Sequence, residues 1–272
     1  MATPTLIAGT NLSPGRHEIF DWYLTRFQTV EREILIESTH LGDPLHLEAL
    51  LHAVQRGVQV LWLHDPSYIP IFAYEAKKYR DELAHDRSLT SRYSHVFRLC
   101  TELQRYSNFC YATVAAHAAT PLPADAHLLA SRTGRGNNVA LSLHSKLSVF
   151  DSEHLIVGSA NHIDISFHDD RHNGHTEAAF GISCRSTAQA VLDKVARFYL
   201  FPHQPLDDER VLEVLHDTRL PLVSRLIARA RDNQTRWLAG QAIDGSIVAI
   251  DIAWWIHDSP IDGSMKMFAN WQ

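Results

Sequence analysis

The chain has 272 residues, of which 45% are hydrophobic and 21% are charged, and its formal net charge is −6. This length and apolar content allow one substantial hydrophobic core with an appendage. The acidic balance argues against a dedicated DNA-binding protein, whose surface carries a basic footprint, and leaves room only for a local basic groove.

Neither the cysteines nor the N-terminus indicates a secreted or membrane protein. Cys100, Cys110 and Cys184 lack the spacing of metal ligands or of a disulfide framework, so we expect reduced thiols. Residues 1–13 lack a basic region followed by a long apolar run, and no stretch approaches the ~18 apolar residues of a membrane span. We therefore expect no signal peptide, no transmembrane segment and a cytoplasmic location by default, with export without a cleaved signal as the alternative.

The first predicted elements form a βαβ unit. Glu33 to Ser38 is a short apolar strand. Asp43 is a helix N-cap followed by Pro44 at the first helical position, and the helix ends near Gly57. A second strand runs from Val58 to Leu63. This order predicts a sheet with helices on its faces.

Two helices and a long loop are expected next. The sequence predicts helices over Ile69 to Leu83 and Leu89 to Tyr106. Ala115 to Asn138 holds prolines and glycines among small and polar residues, which indicates a loop. Within it, Ser131 to Gly136 is a candidate contact for a substrate phosphate, and a solvated loop is the alternative.

Alternating side chains from Leu141 to Phe150 predict a half-buried strand. His144 and Lys146 then lie on one face, ~7 Å apart at a rise of about 3.3 Å per residue. After a polar turn, a second short apolar strand returns antiparallel to the first. The resulting hairpin brings Ser159 and Asn161 beside the two basic side chains.

These side chains indicate a phosphodiester-cleaving site. Lys146 supplies a positive point charge, Asn161 an amide donor and Ser159 a hydroxyl, all suited to the non-bridging oxygens of a phosphoryl group. His144 is the one good neutral nucleophile of the set.

The residues from His144 to Asn161 resemble the signature of the phospholipase D superfamily, His-x-Lys-x4-Asp-x6-Gly-Ser-x-Asn, with every fixed position present. The resemblance implies an α/β fold, specifically a phospholipase D-like α/β/α sandwich with a mixed central sheet. It also implies a reaction through a phosphohistidine intermediate, with His144 as nucleophile or acid. Lys146 and Asn161 would bind phosphate and Ser159 would assist, without any cofactor.

The resemblance implies roles for two carboxylates as well. The family places a carboxylate after the motif to orient the nucleophilic imidazole, and Glu177, at the start of the apolar segment Ala178 to Ile182, is the best match. Asp151 belongs to the motif as a turn residue and charge partner rather than as the attacking group. Ile34 to Glu37 matches a strand pattern that often opens the family's second repeat.

No metal site is expected. His168, His172 and His175 carry side chains that can ligate metals, but they lack the spacing of recognisable zinc sites. We expect this segment to form a loop beside the pocket.

The chain holds one motif, whereas a complete site in this superfamily has two. We expect a second copy of the same chain to complete the site at a two-fold axis. The alternative is a different partner chain, because Ser145, Asp164 and Ser166 resemble residues of second repeats.

A proline-marked joint near residue 203 predicts a catalytic domain over 1–203 and a C-terminal extension over 204–272. Helices are expected over Thr187 to Tyr199, Asp207 to His216 and Leu220 to Asp232. The extension is rich in tryptophan, with Trp237, Trp254, Trp255 and Trp271. These side chains are expected to pack a small helical subdomain onto the main sheet, and docking to a membrane surface is the alternative.

Two substrates follow from the resemblance. The acidic balance, the apolar tail and the second-repeat character of the motif favour a glycerophospholipid. The single motif favours the alternative, a metal-independent nuclease that works as a homodimer.

Overall fold

The computed structural model describes residues 5–8, 17–38, 42–63, 87–114, 145–162, 177–200, 219–239, 241, 243 and 247–249. These residues form eight strands and five helices. In chain order they are β1 (Thr5–Ala8), α1 (Glu18–Thr29), β2 (Glu33–Glu37), α2 (Pro44–Gln55), β3 (Gln59–Leu63), α3 (Arg87–Gln104), β4 (Phe109–Val114), β5 (Leu147–Phe150), β6 (His154–Gly158), β7 (Ala178–Ser183), α4 (Arg185–Leu200), α5 (Leu222–Leu238) and β8 (Ile247–Ala249).

All of the described strands belong to one mixed sheet, in the order β1-β7-β6-β5-β2-β3-β4-β8. Strands β2, β3 and β4 are parallel, and β5 joins β2 in antiparallel register. Parallel neighbours need a crossover connection, and α2 supplies it between β2 and β3. The predicted βαβ unit and the predicted mixed sheet are therefore confirmed.

Two hydrophobic cores lie on opposite faces of the sheet. One packs α1, α2 and α3 against Ile34 and Ile36, and the other packs α4 and α5 against Leu35 and Leu61. Successive residues of a strand point to opposite faces, so β2 contributes to both cores and is buried along its whole length. The predicted α/β/α sandwich is confirmed.

Helix α2 begins and ends where its sequence predicted. The Asp43 carboxylate accepts a hydrogen bond from the backbone N–H of His46 (2.8 Å), and Pro44 occupies the first helical position. After the helix, Gly57 has a φ of 96°, a left-handed conformation that glycine adopts without steric penalty. These local signals fix where the crossover helix between β2 and β3 begins and ends.

Strands β5 and β6 form the predicted hairpin, in register from Leu147 opposite Val157 to Phe150 opposite His154. The prediction that β5 is half-buried was wrong. Val149 packs in one core and Phe150 in the other, because helices from distant parts of the chain cover both faces. The first part of the predicted strand, 141–144, lies outside the described residues.

Three predicted helices correspond to α3, α4 and α5, although α5 continues six residues beyond its predicted end at Asp232. None of the described helices is long and apolar enough to cross a membrane. Several predicted segments lie outside the described residues: the helices over 69–83 and 207–216, the loop over 115–138, and Trp254, Trp255 and Trp271.

The described part of the C-terminal segment adds a strand to the main sheet and packs a helix against it. Strand β8 pairs antiparallel with β4, and α5 packs into the same core as Leu35. The Asn233 side-chain amide donates a hydrogen bond to the backbone carbonyl of Ile247 (2.8 Å), which ties α5 to β8. The division of the chain at residue 203 stays a prediction.

Candidate functional site

Four strand ends meet at one edge of the sheet. Glu37 ends β2 and lies opposite Leu147, the first residue of β5. Strand β6 ends at Gly158, whose N–H donates a hydrogen bond to the carbonyl of Lys146 (3.1 Å), and Gly158 is also in register with Ala179 of β7. This topology brings Lys146 together with the residues that follow β6 and precede β7.

Lys146 is a buried ammonium group at this edge. The residue is only 8% exposed, and Glu37 and Glu177 are each 5% exposed. Burial lowers the pKa of Lys146 below its ordinary value, and the nearby carboxylates of Glu177 and Glu37, in that order, oppose the change. The two carboxylates therefore favour the charged form of the lysine, which a buried site would otherwise disfavour.

Ser159 and Glu177 are directly bonded. The Ser159 hydroxyl donates to the Glu177 carboxylate and accepts from the N–H of Ala178 (3.1 Å). Only glycine fits at position 158 without a steric clash. A Cβ there would lie 2.5 Å from the Ala178 carbonyl oxygen and 2.6 Å from the Ala179 Cβ. Without a side chain at Gly158, β7 approaches closely enough to bring Glu177 against Ser159.

Glu37 is a site residue to which the sequence analysis gave no role. The Ser145 hydroxyl donates a hydrogen bond to its carboxylate. A signal for it was available: a carboxylate that ends a buried parallel strand lies at the edge where ligands bind in α/β sheets. Its partner serine could not be found in this way, because it lies 108 residues further along the chain.

Asp151 lies at the opposite end of the hairpin. Its carboxylate accepts backbone N–H hydrogen bonds from Glu31 (2.9 Å), Arg32 (2.8 Å) and Glu33 (3.0 Å). Asp151 and Ser152 have left-handed φ angles of 53° and 56° in the three-residue turn between Phe150 and His154, where the N–H of Glu153 donates to the carbonyl of Phe150 (2.9 Å). The length of β5 separates Asp151 from Lys146 by about 16 Å, so the structure does not bring Asp151 to the edge that holds the lysine.

The segment after Ser159 is anchored to β2 and α2. Asn161 is half-buried, and the carbonyl of His162 accepts from the N–H groups of Gly42 (2.8 Å) and Asp43 (3.1 Å). The N–H of His162 donates to the Ser38 hydroxyl (3.4 Å). These bonds hold the end of the motif beside the end of β2.

The His162 ring is fully buried beneath the site, which the sequence analysis did not anticipate. It packs against Tyr23 and Trp62, with ring centroids 4.4 and 5.0 Å away. Burial, and secondly the neighbouring His46, hold the pKa of His162 well below 6.5, although Asp43 acts in the other direction. The imidazole is therefore neutral near pH 7.

Some candidates lie outside the described residues: His144, the 131–136 stretch, and His168, His172 and His175. Among the residues that are described, no group of three His, Cys, Asp or Glu side chains is arranged to hold a metal ion. The assembled part of the site thus consists of Lys146, Ser159, Glu177 and Glu37, with Ser145 and Asn161 next to them. A buried ammonium group with serine hydroxyls beside it suits the stabilisation of phosphoryl oxygens, because a charge interacts strongly where water is excluded.

Comparison with protein-family models found no match, and neither did comparison with curated protein sequences. Among solved structures, the chain is similar to Nuc from Salmonella typhimurium, described as a phospholipase D family member, with 15% identity and a TM-score of 0.43 over 71% of this chain and 91% of Nuc. NucT from Helicobacter pylori gives 13% identity and a TM-score of 0.43 over 70% of this chain and 91% of NucT.

Phosphatidylserine synthase from Haemophilus influenzae Rd KW20 is similar over 89% of this chain and 48% of the synthase, with 11% identity and a TM-score of 0.44. These similarities do not assign a function to the chain.

Proposed function

We propose that this chain is a phosphodiesterase of the phospholipase D type that acts through a phosphohistidine intermediate on a glycerophospholipid. The observation that carries the proposal is the meeting of Lys146, Ser159 and Glu177 at one sheet edge, with the Ser159 hydroxyl bonded to the Glu177 carboxylate. These residues lie 13 and 18 positions apart in the sequence, next to the ends of β5, β6 and β7. Lys146 and Ser159 belong to the motif that begins at His144, and Glu177 follows it.

In the proposed reaction, an imidazole nitrogen of His144 attacks phosphorus and forms a P–N bond while the P–O bond to the leaving alcohol breaks. The leaving oxygen takes a proton from a second histidine. Water then attacks phosphorus and gives a proton to the second histidine, the P–N bond breaks, and the phosphate monoester leaves with the His144 imidazole restored. Lys146 stabilises the charge on the non-bridging oxygens, and Glu177 orients the nucleophilic imidazole.

Asn161 and Ser159 have supporting roles in this proposal. The Asn161 amide donates to a phosphoryl oxygen alongside Lys146. The Ser159 hydroxyl assists in binding the phosphate and is hydrogen-bonded to the Glu177 carboxylate. We assign Asp151 to the turn rather than to the chemistry, because its carboxylate is occupied by three backbone N–H groups.

The second histidine must come from another motif, since this chain has one. We propose a second copy of the same chain across a two-fold axis, the commonest symmetry of soluble oligomers. The competing arrangement is a different partner chain. Mixing active wild type with an excess of inactive His144→Ala separates these cases. A homodimer should lose activity as mixed dimers form, because a mixed dimer holds one of the two required histidines, whereas wild type that is active only after a different chain is added supports the alternative.

A lipid substrate is favoured by the net charge of −6, which weakens long-range attraction of a polyanion. The second candidate, a metal-independent nuclease, is favoured by the single motif.

The test is incubation of the purified chain with phosphatidylcholine vesicles and a few per cent ethanol, with His144→Ala as the blank. We expect phosphatidylethanol, because ethanol captures a phosphatidyl-enzyme that water would otherwise hydrolyse. EDTA should leave the rate nearly unchanged. Cleavage of plasmid DNA in EDTA, without phosphatidylethanol, would move the assignment to the nuclease, and activity on neither substrate would refute the proposal.

A further inference from the structure

The antiparallel pair β2–β5 has a glutamate–serine hydrogen bond at each end. At one end the Ser152 hydroxyl donates to the Glu33 carboxylate (2.6 Å), and at the other the Ser145 hydroxyl donates to Glu37. Both glutamates are 5% exposed, and they share the β2 face that carries Leu35. The chain thus offers two similar bonds on one strand.

The surroundings of the two bonds differ. The other carboxylate oxygen of Glu33 accepts from the backbone N–H of Val223 (3.1 Å) at the start of α5, which is a structural contact. Glu37 instead lies at the edge that holds Lys146, and its serine is the residue between His144 and Lys146.

We propose that Glu37 is a positioning residue of the active site. Its carboxylate holds Ser145 and thereby fixes the backbone that carries His144 and Lys146, and its charge partly balances the Lys146 ammonium. This inference rests on the proposed phosphodiesterase function. It assigns to β2, a strand outside the motif, a part in aligning the nucleophile.

A carboxylate suits this position better than a neutral acceptor. Glutamine could accept the hydrogen bond from Ser145, but it would not balance a buried positive charge. The charges that act on Lys146 come from both sides: Glu37 at the end of β2, and Glu177 before β7. Ser159, which follows the intervening strand β6, is uncharged. Loss of the Glu37 charge should therefore lower the pKa of Lys146 further.

The first experiment compares Glu37→Ala and Glu37→Gln with the matched controls Glu33→Ala and Glu33→Gln. For whichever phosphodiester the wild type cleaves, we expect Glu37→Ala to lower kcat about 100-fold with little change in KM, because the reacting groups are misaligned. We expect Glu33→Ala to lower Tm while kcat stays within about threefold of wild type. The double variant Glu37→Ala/Ser145→Ala should be no slower than the slower single variant, because both changes break the same bond.

A second measurement tests the effect of Glu37 on Lys146 without an activity assay, by NMR titration of the lysine. After reductive methylation with ¹³C-formaldehyde, the Lys146 signal is assigned by its loss in Lys146→Arg and titrated by NMR. We expect the midpoint of the Lys146 titration to move to lower pH in Glu37→Gln and to stay unchanged in Glu33→Gln. An unchanged midpoint in both variants, or equal losses of Tm in the two alanine variants with kcat retained, would overturn the role of Glu37. An inactive wild type with a shifted midpoint would refute only the phosphodiesterase.

Discussion

The two ends of the β2–β5 pair use the same residue types for different purposes. At the turn end, the carboxylates of Asp151 and Glu33 accept hydrogen bonds from backbone N–H groups, and this holds chain segments together. At the site end, the carboxylates of Glu37 and Glu177 accept from serine hydroxyls and act on a buried lysine. Glu33 and Glu37 both accept from a serine hydroxyl, so what distinguishes the two ends is the nearby charge of Lys146 at one and the backbone N–H partners at the other.

The motif spans both ends, and its spacing matches the hairpin. The four residues between Lys146 and Asp151 are the whole of β5, and the residues between Asp151 and Gly158 are the rest of the turn and most of β6. One pattern thus specifies the turn at one end and the groups proposed to bind phosphate at the other.

The largest expected effect is the loss of kcat when Lys146, at the site end, is replaced. Lys146→Met should lower kcat about 10²- to 10³-fold, because it removes the charge that stabilises the phosphoryl oxygens. The control is Lys194→Met, since Lys194 is exposed on α4 and its loss should leave kcat unchanged. Steady-state kinetics, with circular dichroism to confirm folding, provide the measurement. Retention of most activity in Lys146→Met would refute the site.

A substitution at the turn end should lower the free energy of unfolding rather than kcat. Asp151→Ala leaves three backbone N–H groups without their acceptor and should reduce the free energy of unfolding by about 2–4 kcal/mol, measured by urea titration. Asp232→Ala, which breaks an exposed pair with Arg236 on α5, should change the free energy by less than about 0.5 kcal/mol. A larger loss of kcat than of stability in Asp151→Ala would return this residue to the chemistry.

Acid should destabilise the site end more than the turn end. Burial holds the pKa of His162 well below 6.5 in the folded protein, so below about pH 6.5 the unfolded chain binds a proton that the folded one does not. This contribution is complete above pH 6.5 and is lost as the pH falls, by up to about 1.4 kcal/mol per pH unit.

The measurement is urea unfolding between pH 7.5 and 5 in two variants. His162→Phe should flatten the dependence of stability on pH. His154→Gln should flatten it less. Burial and then Arg26 lower the pKa of His154 against the opposing charges of Glu153 and Asp151, but this side chain is only partly buried, whereas His162 is fully buried and its pKa lies well below 6.5. Equal slopes in wild type and His162→Phe would contradict the neutral buried imidazole.

The smallest expected effect is on the alkaline limb of the pH–rate profile. The proposed reaction requires the charged form of Lys146, whose pKa is lowered by burial, so kcat/KM should decline at a lower pH than an exposed lysine would dictate. Glu177→Gln removes the larger opposing charge and should move this limb to still lower pH. A limb that moves to higher pH would contradict the arrangement of charges.

Local patterns predicted the parts of the molecule that depend on neighbours in sequence. The capping residues Asp43 and Pro44, the left-handed Gly57 and the β5–β6 hairpin are all short-range features, and the structure has them as predicted. The motif in turn predicted that Ser159 would return beside Lys146.

Features that depend on distant pairing could not be predicted in this way. The bond from Ser145 to Glu37 joins residues 108 apart, and strand β8 reaches β4 from the far end of the chain. Burial of both faces of β5, and of the His162 ring, depends on which helices cover the sheet, and nothing within those segments specifies it. Glu37 was missed for the same reason.

The placement of β2 also has a consequence during synthesis. Its partner β5 leaves the ribosome more than 100 residues later, which at about 5–20 residues per second is a delay of roughly 5–20 s. Through that interval the apolar run from Ile34 to Ile36 has one unpaired edge, the kind of segment that recruits other chains. Glu33 and Glu37 bracket this run and act as charged gatekeepers against aggregation until the sheet closes over them.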